Sequence, residues 1–146
     1  MRYLAGLLII LITSASSLHA ETTDNIAVKY AEAGAYFLIV HQAMEQSGEK
    51  YAEVSKGYED QFTLCCRISM RLARQTRDPE MAVKVTLSRV EYSKKEMQKE
   101  MGHTNENISI LINKYRGSST ELMTNPPKMV NQIFAEVLNS VQKWKH

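Results

Sequence analysis

Apolar positions recur at steps of three and four through most of the chain, which predicts helices rather than strands. Between Tyr51 and Leu72 the repeating residues are Tyr51, Val54, Tyr58, Phe62, Cys65, Ile68 and Leu72. Between Val83 and Met101 they are Val83, Leu87, Val90, Met97 and Met101. Asp78-Pro79 separates the two sets. Proline has no backbone N–H and suits the first position of a helix, not its interior. The spacing therefore predicts an antiparallel hairpin, one helix over 49–77 and the next over 79–101, with facing apolar stripes on which the rest packs.

Upstream, Ile26, Tyr30, Ala33, Phe37, Val40 and Met44 mark a first helix, with Thr23 or Asp24 as its cap and Ser47-Gly48 as its end. The same register runs on through Tyr51, so an unbroken coiled-coil hairpin with a C-terminal helix is the alternative. Downstream, Gly102-His103-Thr104-Asn105 reads as a stop followed by a new cap. A fourth helix carries Ile108, Leu111, Ile112 and Tyr115 and ends near Gly117, and residues 118–125 form a loop. Asn125 caps a last helix opened by Pro126-Pro127, with Val130, Ile133, Phe134, Val137, Val141 and Trp144 on its apolar face. Short links between such helices give an all-α, antiparallel up-and-down bundle of four to five helices.

The N-terminus changes the picture. Arg2, an apolar run over Leu4–Ile12 and a small-residue stretch ending Leu18-His19-Ala20 have the layout of a secretory signal peptide. The apolar run is shorter than the roughly 20 residues a spanning helix needs. The expectation is a leader over 1–20 and one domain over 21–146, periplasmic or secreted, with no membrane span in the mature form.

Eighteen basic and sixteen acidic residues leave a formal charge of +2, which argues against nucleic acid as a partner. The distribution is uneven. Residues 21–60 hold three basic and eight acidic side chains, and residues 67–99 hold nine and four. Arg67, Arg71 and Arg74 follow steps of four and three, with Arg77 close by, so they line one side of a helix. Arginines so spaced grip carboxylates or phosphates bidentately. The competing reading is a solvated face paired internally with Glu53, Glu59 and Glu91.

Other chemistry is sparser. Met97, Met101 and His103, with His41, are soft or imidazole ligands suited to copper, or to a haem held by His and Met. Methionines at helical spacing are equally core filler. Glu100-Met101-Gly102-His103 matches half of a di-iron motif, once, across a glycine. Cys65 lies on the apolar stripe, as a buried thiol. Cys66 lies at its edge, where an intermolecular disulfide would make a homodimer. No strained nucleophile turn, phosphate-binding glycine loop or paired zinc motif occurs. The sequence thus points to a non-enzymatic exported protein that binds a protein or anionic partner as an adaptor, inhibitor or stress-related factor. A metal or haem carrier is the alternative.

Overall fold

The computed structural model describes residues 2–143, with side chains placed from Thr23 to Ser140. The segment read as a leader lies outside the described side chains, as do Val141, Trp144 and His146. Five α-helices follow in order: α1 (Arg2–Gln46), α2 (Ala52–Ala73), α3 (Pro79–Glu100), α4 (Ile108–Thr124) and α5 (Asn131–Lys143). Short 3-10 turns precede α2, α4 and α5, and no strand occurs among the described residues. The protein is an all-α bundle.

Side-chain contacts fix the helix directions. His41 meets Ser55 and Ala27 meets Ser69, so α2 runs back along α1. Tyr30 donates to the Leu122 carbonyl, and Tyr36 lies against Tyr115, so α4 also runs against α1. Arg67 meets Ser140 and Arg71 meets Glu136, so α5 runs against α2.

The centre of the bundle is α1, not the α2–α3 hairpin. Ala27, Tyr30, Ala31, Ala33, Ala35, Tyr36, Phe37, Ile39 and Val40 are all buried, so this helix is covered on nearly every side. It packs on α2, α3 and α4, whereas α5 packs chiefly on α2. Its small residues let neighbours approach: a Cβ built on Gly34 would lie 3.4 Å from the Cys65 Cβ. Tyr30, Tyr36, Ile68, Leu72, Met97 and Leu111 are the large side chains taken fully out of water. Burying each of the aliphatic and methionine side chains among them contributes about 1.5–3 kcal/mol.

Local signals set the breaks. Gly48 sits at φ 100°, outside the helical region, so α1 and α2 are separate and the continuous coiled coil does not form. Asp78 accepts from the Met81 amide at 3.0 Å with Pro79 in the first turn, as expected of a capped helix start. Gly102 and His103 both take positive φ, and the His103 amide donates to the Gln98 carbonyl, closing α3 with a Schellman turn.

Four local expectations need correction. Thr23 and Asp24 lie inside α1, not at its start. Helix α2 stops at Ala73, and residues 74–77 form turns. Helix α4 passes through Gly117 to Thr124, because an exposed helical glycine costs only about 1 kcal/mol and the continuation buries Ser119. Asn125 ends α4 rather than capping α5: its amide donates to the Glu121 carbonyl at 2.8 Å.

The hairpin stripes are also partly displaced. Tyr51, Val54 and Leu87 are exposed, while Ala82 and Thr86 are buried. Helix α3 turns that way because it packs more extensively on α1 than on α2.

Candidate anion-binding cleft

Arg67, Arg71 and Arg74 occupy successive turns at the C-terminal end of α2, so one helix face presents all three. Helix α5 lies antiparallel beside that face. Val137 of α5 and Val130 of the 3-10 turn before it are both buried. Between the helices is an open cleft of about 260 Å³, with Met70 and Val137 as its apolar lining and the three arginines along one side. Glu136 and Ser140 line the other.

Arg71 donates through Nη2 to Glu136 Oε2 at 2.6 Å, and Gln132 donates to Glu136 Oε1 at 3.2 Å. Arg67 donates to the Ser140 hydroxyl at 3.3 Å. That hydroxyl in turn donates to the Val137 carbonyl at 2.7 Å. Arg74 is exposed and has no ion-pair partner among the described residues. Among the described residues, three guanidinium groups thus face a single carboxylate. The Arg71–Glu136 pair is about half exposed on both sides, so it contributes about 0–1 kcal/mol.

Arg77 does not belong to this face. It lies beyond the end of α2 and donates to Asp24 Oδ1 at 2.7 Å, while Arg89 of α3 donates to Asp24 Oδ2 at 2.6 Å. Burial pushes the Asp24 carboxyl up, but the hydrogen bonds and charges of Arg89 and Arg77 outweigh it and hold it below its ordinary value. This clamp ties Asp24 of α1 to the α2–α3 corner. The arginines do not pair with Glu53, Glu59 or Glu91: among the described residues Glu91 pairs with Lys95, and the acidic partners come from α1 and α5.

The residues considered for a metal are dispersed. Met97 and Met101 are buried in the core. Met101 and His103 border one small polar cleft, and His41 borders a separate, larger one. His41 Nδ1 lies 2.8 Å from the Ser55 hydroxyl, and its Nε2 lies 3.6 Å from Glu45. Ser55 is 2% exposed, so this polar string fastens α1 to α2 and offers no nucleophile to solvent. Among the described residues, no three His, Cys, Asp or Glu side chains gather where they could hold a metal ion.

Both cysteines are free thiols inside the bundle, and Cys65 Sγ lies 3.4 Å from Met123 Sδ. Burial pushes the Cys66 thiol up to about 12 and Cys65 higher still. Cys66 is 8% exposed, and a Cβ built on Gly34 would lie 3.6 Å from its Sγ.

Sequence reasoning missed Glu136 and Ser140, although they stand one turn apart beside Val137, the signal by which α5 could have been matched to α2. It also missed the Asp24–Arg89 pair, for which the linear sequence carries no cue. No described helix is long and apolar enough to cross a membrane. Comparison with protein-family models, with curated proteins and with solved structures finds no match in any of the three.

Proposed function

We propose that this chain is an exported, non-enzymatic binding protein of the periplasm that takes an anionic group of its partner between α2 and α5. One observation carries the reading. Arg67, Arg71 and Arg74 line a single cleft with apolar lining, where Glu136 is the one carboxylate among the described residues. Guanidinium groups hold carboxylate and phosphate oxygens bidentately, and an apolar surface beside them retains the organic part of an amphipathic anion. Export rests on Arg2, the Leu4–Ile12 run and Leu18-His19-Ala20.

Calorimetric titration with phenyl phosphate tests the binding reading. The wild-type protein is expected to take it up, and the Arg71→Glu/Arg74→Glu double variant to lose at least tenfold in affinity at unchanged helical content, the effect of about 1.4 kcal/mol. Equal binding by the two proteins would reduce the arginines to a solvated surface. Export is tested separately, by N-terminal sequencing of protein recovered from a bacterial periplasm: Glu21 is the expected first residue.

A further inference from the structure

We infer that Glu136 is a built-in competitor for the arginine cleft, and that the group able to displace it is a phosphate monoester rather than a single carboxylate; the inference rests on the cleft reading above. Glu136 already gives Arg71 what an incoming carboxylate would give, a charge-assisted hydrogen bond at 2.6 Å. A monocarboxylate therefore exchanges one such bond for another and leaves Glu136 as an unpaired anion beside it. A phosphate monoester carries about −1.5 to −2 charges at neutral pH and three acceptor oxygens. It can engage Arg71 together with Arg67 or Arg74, which line the same cleft one turn away on either side.

The displaced side chain has somewhere to go. Glu136 is 44% exposed and Arg71 48%, so opening the pair costs little. Among the described residues, the Gln132 amide, at 3.2 Å, also holds the carboxylate. Met70 and Val137 then remain to receive the ester's organic part.

The test is the sign of one substitution. Glu136→Gln keeps the shape and removes the competing charge, so its dissociation constant for phenyl phosphate is expected to fall about fivefold, the loss of a pair near the top of the exposed range. A purely structural Glu136 would give the opposite result, since loosening α5 weakens the site. Gln132→Ala, which frees the other carboxylate oxygen, is expected to shift affinity the same way by less. Wild-type protein is expected to bind phenyl phosphate roughly tenfold more tightly than benzoate.

If wild type binds phenyl phosphate but Glu136→Gln binds it no better, the competitor role is overturned and the cleft stands. Equal affinity for benzoate would overturn the phosphate assignment. No uptake by either folded protein would remove the cleft reading itself. Sedimentation with phosphatidylcholine vesicles containing phosphatidic acid, enhanced in Glu136→Gln, would identify a lipid headgroup as the source. Uptake of phenyl phosphate without sedimentation would identify a soluble ester.

Discussion

Arg89 Nη2 lies 2.6 Å from Asp24 Oδ2, joining α3 to α1 while Arg77 holds the other carboxylate oxygen. Asp24 is 30% exposed and Arg89 17%, so the pair is sheltered more than a surface bridge. Asp24→Asn is expected to cost about 2 kcal/mol, the usual scale for hydrogen bonds to a charged group. The folded-state pKa is depressed, so this stabilisation is present above the ordinary value of 3.8 and is lost as pH falls through the folded value. Urea unfolding of both proteins should show a constant gap above about pH 5 that closes in stronger acid. A gap independent of pH would contradict the charge assignment.

Thr86 is fully buried, and its hydroxyl has no hydrogen-bond partner among the described residues. An unsatisfied buried hydroxyl carries its desolvation cost with nothing in return. Thr86→Val, which keeps the branched shape, is expected to stabilise the bundle by about 1 kcal/mol and raise the melting temperature. A lower melting temperature would show that the hydroxyl has a partner.

Gly48 and Gly57 are both surrounded by open space, but only Gly48 sits at positive φ. Gly48→Ala is expected to destabilise by about 1 kcal/mol through backbone strain alone. Gly57→Ala, inside α2, is expected to stabilise by about 0.5–1 kcal/mol. Opposite signs in thermal unfolding would confirm the chain break; matching signs would contradict it.

The thiols give a chemical test of burial. Cys65 and Cys66 are 0% and 8% exposed, and their thiols are held protonated well above neutral pH. Neither is expected to react with a thiol reagent at neutral pH until the protein is unfolded, and a non-reducing gel should show one monomer band. A dimer band abolished by reductant would place Cys66 at an interface.

The breaks were legible because their causes are local. Pro79 lacks an N–H, Asp78 can cap, and Gly48 and Gly102 tolerate backbone that other residues resist. The arginine row was legible because steps of four and three define a helix face. The central place of α1 was not. Ala27, Ala31, Ala33 and Ala35 add little to an apolar pattern, and they matter because α2, α3 and α4 close on them together. Leu87 was misplaced for the same reason: the buried side of α3 is chosen by α1, a tertiary fact. Glu136 stayed hidden because pairing α5 with α2 depends on which groove α5 enters, and no local rule states that.

The central claim is that the groove between α2 and α5 receives an anion. Titrating isotope-labelled protein with phenyl phosphate while following backbone amide resonances tests it directly. The account predicts saturable shifts concentrated at Arg67–Arg74 and Glu136–Ser140, with the Asp24 and His41 surroundings unmoved. Shifts centred elsewhere, or none at saturating ligand, would contradict it.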